Sequence, residues 1–327
     1  MKNVLITGIN GSGGSYLAEH LLKKKNIKKI FGTIRNYNSL KKFNLKNIKN
    51  NKKINFLKCD LNNSNQIKRI VKKHNFEYIF HLASNADVLK SFYKPRDIIL
   101  NNNNCTLNLL EALRINRSKA KILICSTSEV YGNIGTKNKK IDEKSIINPI
   151  NPYAVSKTFQ DLLAQNYYQI YSLNIIITRM FTYFNARRGN LFASSFADQI
   201  VKIENGKQKK LRHGNLNSQR TILDIRDAVE AYYLAAVKGL PGEIYNIGGQ
   251  YKSTVGKILS KLINLSKKKI ETSIDKKLLR PKDIKYQVPS SSKFIRQTKW
   301  KQQYTLSQSL NYLLNESREK FKFERRK

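Results

Sequence analysis

The chain of 327 residues carries 62 Lys and Arg against 22 Asp and Glu, which gives a formal net charge of +40. Its length allows one large α/β unit or two domains, and no apolar run reaches the roughly 18 residues of a membrane span. The basic residues are spread along the whole chain and accompany no nucleic-acid motif, so we predict solvated surface positions and a preference for anionic ligands rather than a nucleic-acid surface.

Short apolar runs alternate with amphipathic segments through the first half of the chain. The predicted strands cover residues 4–7, 30–34, 54–57, 78–83, 122–126 and 175–179. The predicted helices cover residues 15–25, 66–73, 106–114 and a segment that starts near Tyr153 and ends at 171. This βαβα alternation predicts an α/β fold with a parallel sheet covered by helices on both faces.

The second half is less regular. The predicted elements are helices over residues 192–203, 227–237, 255–265 and 306–314 and a strand over 243–247. Residues 101–104 are read as a possible helix start, and residues 320–327 as a fraying tail.

The cysteines and the start of the chain indicate the cellular compartment in which the protein is expected. Cys59, Cys105 and Cys125 are odd in number and far apart, so we predict reduced thiols. They and the four His show no metal-ligand spacing. Because the chain start runs directly into the first strand, we predict no signal peptide and expect a cytoplasmic protein.

A glycine-rich turn follows the first predicted strand. Gly8, Gly11 and Gly14 have Gly-x-x-Gly-x-x-Gly spacing between a strand and a helix. Glycines at these positions let the backbone approach a pyrophosphate at the helix N-terminus. The turn therefore predicts a dinucleotide site.

The residues after the second and third strands bear on which dinucleotide binds. Arg35 follows the second strand with no carboxylate nearby, which favours a 2′-phosphate and hence NADP; the alternative is one more exposed Arg. Asp60 follows the third strand, where it could accept from the adenine amino group or could cap the next helix. The sequence leaves both alternatives for Asp60 open.

Tyr153 and Lys157 lie one helical turn apart on one face of a helix. There the ammonium can lower the pKa of the phenol and make it a usable base. Thr127 and Glu129 follow the fifth strand, at the sheet edge where ligands bind in such folds. Thr127 could bond a substrate oxygen and Glu129 could act as a second acid or base, or be an exposed loop residue.

These motifs together resemble the extended short-chain dehydrogenase/reductase family, closest to the branch of GDP-mannose 4,6-dehydratase and GDP-4-keto-6-deoxymannose reductase. The matching segments are 7–14, 60–61, 81–83, 108–112, 126–132, 151–157, 220–227, 245–249 and 280–281. The resemblance implies a Rossmann-type doubly wound parallel sheet with a smaller C-terminal α/β substrate-binding domain. It implies an NADP-binding domain over residues 1–185, rejoined by 214–247, and a substrate domain over 186–213 and 248–327.

The resemblance also implies roles for individual residues. Tyr153 would be the base for the C4 hydroxyl and Lys157 its electrostatic partner. Thr127 would bond at C4 and C6, and Glu129 would handle the C5 proton and the departing C6 hydroxyl. The implied cofactor contacts, besides Tyr153 and Lys157, are Gly8, Asn10, Gly11, Gly14, Arg35, Asp60, Leu61, Leu82 and Ala83. The implied substrate contacts are Thr182, Arg187, Arg220 and Arg280, with Arg188 beside them.

The implied activity is conversion of GDP-mannose to GDP-4-keto-6-deoxymannose by internal hydride transfer through NADP. The alternatives are an NADPH-dependent reductase of the 4-keto product, another nucleotide-sugar epimerase or dehydratase, and a non-catalytic NADP or nucleic-acid binder. The last predicts a missing Tyr or Lys, and both are present. A homo-oligomer, dimer or tetramer, is expected from the resemblance.

Overall fold

The computed structural model describes residues 1–326, whose elements are as follows. The strands are β1 (Lys2–Thr7), β2 (Ile27–Ile34), β3 (Ile54–Lys58), β4 (Tyr78–His81), β5 (Lys121–Thr127), β6 (Ile175–Met180), β7 (Lys210–His213), β8 (Gln219–Ile222), β9 (Ile244–Ile247), β10 (Tyr251–Thr254), β11 (Glu271–Ile274) and β12 (Tyr286–Gln287). The helices are α1 (Ser12–Leu22), α2 (Ser64–Lys73), α3 (Val88–Tyr93), α4 (Pro95–Ile115), α5 (Pro152–Tyr171), α6 (Phe192–Glu204), α7 (Ile225–Lys238), α8 (Val255–Ile263), α9 (Ser292–Thr298) and α10 (Leu306–Arg325). Short 3-10 helices cover Tyr37–Lys41, Phe43–Leu45, Ser128–Tyr131 and Lys276–Leu278.

A seven-stranded parallel sheet has the order β3-β2-β1-β4-β5-β6-β9. The order reverses between β1 and β4, and because all the strands are parallel, their carboxyl ends form one edge. Ligands of open α/β sheets bind in the crevice at such a reversal. The predicted Rossmann-type fold is confirmed, and β1 and β4 identify the edge at which a dinucleotide would bind.

Alternation along the strands divides the buried side chains between two cores. Val4 and Ile6 of β1 pack in the core that contains α1 and α7. Leu5 packs in the opposite core with α2 and α4. Because successive strand side chains point to opposite faces, a strand buried on both faces must be apolar throughout. This explains why the strand runs are uninterrupted in the sequence.

The smaller C-terminal unit contains a three-stranded sheet, β10-β8-β12, and a two-stranded sheet, β11-β7. Its core joins α6, α8 and α10 through residues such as Phe196, Ile258 and Leu313. Phe294 of α9 and the nearby Trp300 pack instead in the core of the large sheet, with α7. The chain therefore returns to the large sheet once more, after β12, a return that the predicted boundaries did not include.

The predicted boundaries that differ from the structure include those of α4, β4 and α10. Helix α4 begins at Pro95 rather than at residue 106, so residues 101–104 lie inside it. The Asn run hid this helix because Asn102 is polar yet buried, with its side-chain oxygen accepting from Asn85 N at 2.7 Å. Strand β4 ends at His81, before residue 83. Helix α10 continues to Arg325, held by an ion pair of 2.6 Å between Lys320 Nζ and Asp198 Oδ2; residue 327 lies outside the described residues.

Residues 1–326 lack membrane-spanning helices and metal-binding clusters. Among these residues, no helix is both long enough and apolar enough to cross a bilayer. In the same part of the chain, no cluster of three or more His, Cys, Asp or Glu could hold a metal ion. Cys59, Cys105 and Cys125 are unpaired, as predicted.

Candidate active site

The glycine turn leads from β1 into α1 through a tight backbone path. Gly8 has a positive φ of +70°, and a Cβ at this position would lie 3.0 Å from the Ala83 Cα. Gly11 N donates to Gly8 O at 2.9 Å. Gly11 is also the N-cap of α1 and brings no side chain to the first free N–H groups of the helix. A Cβ at Gly14 would overlap the Gly8 carbonyl, so all three glycines are required by the close approach of the backbone.

The other predicted cofactor residues border this turn. Asn10 O accepts from Asn44 Nδ2 at 3.1 Å, and Ala83 N donates to Thr7 Oγ1 at 3.2 Å. Leu82 would contact a Cβ at position 13, at 3.3 Å. Leu61 is buried, and its carbonyl accepts from Asn108 Nδ2 at 2.8 Å. The structure therefore brings the β1, β3 and β4 ends together at one edge.

Arg35 and Asp60 follow β2 and β3 at the same edge. Arg35 is exposed, and its nearest polar partner is Asn101 Oδ1 at 3.5 Å. Asp60 accepts from the Asn62 backbone N at 3.1 Å, whereas α2 is capped by Asn63, whose side chain accepts from Gln66 N. The N-cap alternative for Asp60 is therefore wrong, because the helix begins later than that alternative requires.

Thr127, Glu129 and Tyr153 form one wall of a cavity, which we term the catalytic wall. Thr127 ends β5, and its Oγ1 accepts from Glu129 N at 3.3 Å. Asn151 caps α5, with its Oδ1 accepting from Ala154 N at 2.8 Å, and its Nδ2 donates to Glu129 Oε2 at 2.9 Å. One amide therefore fixes both the start of the Tyr153 helix and the carboxylate that faces it.

Tyr153 and Lys157 are both buried, and burial shifts the pKa of each group. Burial raises the pKa of Tyr153 above its ordinary value, while the charge of Arg188 and a hydrogen bond with Thr127 act in the opposite direction. Lys157 Nζ donates to Cys125 O at 2.6 Å and to Gln160 Oε1. Burial lowers the pKa of Lys157 below its ordinary value. The charge of Arg188 thus favours the ionised phenol, whereas the Lys157 ammonium lies against Cys125 O and Gln160 Oε1; the expected effect of Lys157 on the tyrosine pKa stays a prediction.

A second wall, which we term the cationic wall, contains Arg220, Arg280 and Asp283. Arg220 Nη2 lies 3.7 Å from Asp283 Oδ1, and Arg280 Nη1 lies 3.8 Å from the same oxygen. Arg280 Nη1 is also 3.8 Å from Glu129 Oε1 on the catalytic wall. Burial lowers the pKa of Arg220, opposed by Asp283 and Glu129. These contacts are long for ion pairs, so both guanidinium groups retain free donors.

The two walls enclose a cavity of about 590 Å³. Thr182 lines it, as does Arg188. A second cavity, of about 740 Å³, lies between the ends of α8 and β10 and the start of α10, and none of the predicted site residues lines it. The cavity between the walls is therefore the candidate active site.

Arg187 does not reach this cavity. Its side chain is buried, donates to Glu19 Oε1 at 2.7 Å and to Ser15 Oγ at 3.0 Å, and lies over the Tyr16 ring at 3.8 Å. Arg188 points the other way and donates to Ala86 O. Of this adjacent pair, only Arg188 therefore lines the cavity.

Several residues of the site were missed by reasoning from the sequence. Asn151 carries a signal, since Asn before Pro is typical of a helix start. Asp283 and Gln287 reach the cavity from the short strand β12 and the segment before it, which have too little periodicity to be found. Gln160 gives no signal, because the sequence of a helix does not show whether a Gln beside apolar residues is buried or exposed.

Comparisons with known proteins agree on one family. The sequence model described as GDP-mannose 4,6 dehydratase matches residues 5–312. A dTDP-D-glucose 4,6-dehydratase of Dictyostelium discoideum is 32% identical over 284 residues, which are 81% of this chain and 62% of that protein. The chain thus spans less than two thirds of that relative.

Two further proteins extend the comparison. The GDP-6-deoxy-D-mannose reductase of Pseudomonas aeruginosa is 27% identical over 240 residues, which are 73% of this chain and 79% of that one. The solved structure of a dTDP-glucose 4,6-dehydratase from Bacillus anthracis, in complex with NAD, has a TM-score of 0.82 at 26% identity and covers 98% of this chain and 97% of its own.

Proposed function

Because the chain belongs to the GDP-mannose 4,6 dehydratase family of extended short-chain dehydrogenases/reductases, we propose that it is an NADP-dependent nucleotide-sugar 4,6-dehydratase acting on GDP-mannose. The observation that carries the proposal is the catalytic wall. A hydroxyl, a phenol and a carboxylate line one cavity there, and Asn151 fixes the carboxylate at 2.9 Å. Loss of water needs an acid or base beyond the tyrosine, and Glu129 is available for that task.

The residues at the sheet edge fit a nicotinamide dinucleotide. The turn at Gly8, Gly11 and Gly14 would accept the pyrophosphate, because side chains there would fill the space the backbone leaves. Asp60 would accept from the adenine amino group, and Lys157 would contact the nicotinamide end. When bound, a nicotinamide would supply the hydride chemistry: hydride would leave C4 and return to C6 while C5 takes up a proton, so the cofactor would be unchanged over a turnover.

The protein residues would move the protons. Tyr153 takes the proton of the C4 hydroxyl as the C4 ketone forms, and Thr127 holds that oxygen. The ketone makes the C5 hydrogen acidic. Glu129 then removes the C5 proton and gives a proton to the departing C6 hydroxyl, so one water leaves across C5–C6. Arg220 and Arg280 would bind the diphosphate, since a guanidinium pairs two oxygens at once.

The preference for NADP rests on Arg35, which is exposed and has a weak partner at 3.5 Å. The Bacillus anthracis structure holds NAD, so the choice of dinucleotide needs its own test. We expect Arg35→Ala to weaken NADP binding about tenfold or more, as the loss of a charge-assisted bond does, and to leave NAD binding unchanged. The exposed Arg69 on α2 provides the matched control. Equal weakening of both dinucleotides, or of neither, would contradict this assignment.

The activity test uses the purified protein, GDP-mannose or dTDP-glucose, and catalytic NADP. Product mass and the absorbance of reduced cofactor are followed together. We expect GDP-mannose to lose one water without net reduction of the cofactor. If dTDP-glucose alone is turned over, the proposed dehydratase activity stands and the proposed substrate changes from GDP-mannose to dTDP-glucose. The similarity to the Dictyostelium discoideum protein would agree with that result. No water loss from either compound would contradict the proposal.

The second candidate is an NADPH-dependent reductase of a GDP-4-keto-6-deoxy sugar. Similarity to the Pseudomonas aeruginosa reductase favours it. In that reaction Tyr153 would donate the proton at C4 and Glu129 would have no elimination to perform. Consumption of NADPH on addition of the 4-keto sugar nucleotide, with GDP-mannose untouched, would support the reductase. Another nucleotide-sugar epimerase would change neither product mass nor cofactor absorbance.

We also propose that the chain forms a homo-oligomer through α5. Val155, Phe159, Leu162 and Ile170 are exposed at helical spacing on the side of α5 that faces away from its own domain. An apolar helix face of this kind is buried by a second copy in many homodimers. Phe159→Glu should lower the mass measured by light scattering. An unchanged mass would contradict the assignment of this face.

A further inference from the structure

A continuous series of buried hydrogen bonds joins the dinucleotide turn to Lys157. Thr7, at the end of β1, accepts from Ala83 N at 3.2 Å and contacts His81 Nδ1 at 2.8 Å. The other ring nitrogen, His81 Nε2, contacts Thr106 Oγ1 of α4 at 2.9 Å. Thr7, His81 and Thr106 are at most 2% exposed. The series crosses from β1 through β4 to α4 without reaching solvent.

Gln160 closes the remaining gap between α4 and Lys157. Its Nε2 donates to Thr106 Oγ1 at 2.5 Å and to Asn102 O at 2.7 Å. Its Oε1 accepts from Lys157 Nζ. The side chain is fully buried. Every polar atom of this amide is thus used, and only a residue with a donor and an acceptor of this reach could make the same bonds.

We propose that Gln160 is a positioning residue, which holds the charged Lys157 ammonium in place and connects it through Thr106 and His81 to the dinucleotide turn. The inference rests on the proposed function only in that Lys157 serves catalysis. The bonds themselves belong to the protein alone.

The energetic reason is the burial of a charge. A buried ammonium is costly unless acceptors surround it. Lys157 has Cys125 O and Gln160 Oε1 as acceptors. The titratable groups that face it are Cys125 of β5, Asp161 of its own helix and His81 of β4. Burial and Lys157 lower the pKa of His81 to about 3, so the imidazole stays neutral and adds no competing charge. Gln160 is therefore the side chain that decides how well the charge is held.

The test measures the stability of Gln160→Ala against pH and does not depend on catalysis. Removing the acceptor penalises only the charged lysine, so the folded pKa of Lys157, already below its ordinary 10.5, falls further. The stability deficit of the variant is complete below its own folded Lys157 pKa. As pH rises through the folded pKa of the wild type, the deficit shrinks to the pH-independent cost of the lost packing and of the lost bonds to Thr106 and Asn102. At neutral pH we expect the unfolding equilibrium constant to rise about 10- to 100-fold, the effect of a bond to a charged group.

A Lys157→Met background separates this role from simple packing. In that background the deficit of Gln160→Ala should no longer depend on pH, because no ammonium remains to be held. Gln165→Ala, the same change on the same helix, is the control, since Gln165 Nε2 bonds only the Asp161 backbone carbonyl at 3.3 Å. A pH-independent deficit with Lys157 present would overturn the proposal and leave Gln160 as a packing residue.

A second measurement connects the bond to turnover. If the enzyme converts a nucleotide sugar, Gln160→Ala should move the alkaline limb of kcat to lower pH, and Gln160→Glu should move it back. An unmoved limb together with a pH-dependent stability deficit would show that the bond exists and that turnover does not depend on it, which overturns the positioning role. Absence of turnover in the wild type refutes the proposed function and leaves the stability test valid.

Discussion

The two walls of the cavity are built in different ways. On the catalytic wall, the carboxylate of Glu129 is fixed by a 2.9 Å bond from Asn151 Nδ2 to its Oε2. On the cationic wall, the ion pairs of Arg220 and Arg280 are 3.7–3.8 Å long. The groups proposed for chemistry are thus held before substrate binds, whereas the groups proposed for binding keep donors free for an incoming anion. Preorganisation of the first set saves reorganisation in the transition state.

Each wall also holds a group in an unfavourable electrostatic environment. Burial raises the pKa of Tyr153, so the phenol needs nearby positive charge to act as a base. Arg188 supplies such charge from the cavity, and Glu129 opposes it. On the cationic wall, Asp283 offsets the charge of two arginines and is itself held by Ser218 Oγ at 2.9 Å. We therefore expect changes on the catalytic wall to alter kcat and changes on the cationic wall to alter KM.

The largest expected effect is that of Tyr153→Phe. Loss of the phenol removes the base while the ring still fills its site, so kcat should fall about 10²- to 10⁴-fold, as for other general bases. KM for the nucleotide sugar and the melting temperature should change little. Tyr167→Phe on the same helix, whose hydroxyl bonds Glu111 Oε1 at 2.7 Å far from the cavity, should keep full turnover. A Tyr153→Phe enzyme as active as the wild type would remove the assignment of the base.

Arg220→Ala tests the other wall. The guanidinium is buried and its partner lies 3.7 Å away, so its loss should raise KM about 10- to 100-fold, the effect of losing charge-assisted bonds to phosphate. Steady-state kinetics should show a smaller change in kcat. The half-buried Arg114, paired with Glu111 on α4, is the control for loss of one charge. A fall in kcat with KM unchanged would break the division of work between the walls.

The smallest expected effect, and the sharpest for the comparison, is that of Asn151→Ala. Loss of a helix N-cap should lower the free energy of unfolding by about 1 kcal/mol. Because the same amide holds Glu129, kcat should also fall about 3- to 10-fold. Asn63→Ala, which removes the cap of α2, should cost similar stability in a denaturant titration with no loss of kcat. Equal activity of the two variants would mean that Glu129 needs no such support.

The sequence by itself determined the large sheet and the order along the chain of the residues proposed for catalysis. Strands buried on both faces require uninterrupted apolar runs. The glycine spacing and the Tyr-Lys pair are local patterns, each contained in a few consecutive residues. These features depend on neighbours in the chain, which the sequence displays directly. That is why β1, β5 and the start of α5 agree with prediction to within a few residues.

Only the tertiary structure decided which side chains meet. Arg187 and Arg188 are neighbours in the sequence. Arg187 nevertheless pairs with Glu19 of α1, whereas Arg188 lines the cavity. Gln160 reaches Thr106 across 54 positions, and Asp283 meets Arg220 of β8 from the segment before β12. Such contacts depend on the direction of each side chain after the elements have packed. A linear pattern does not carry that direction, because the partner is distant in the chain.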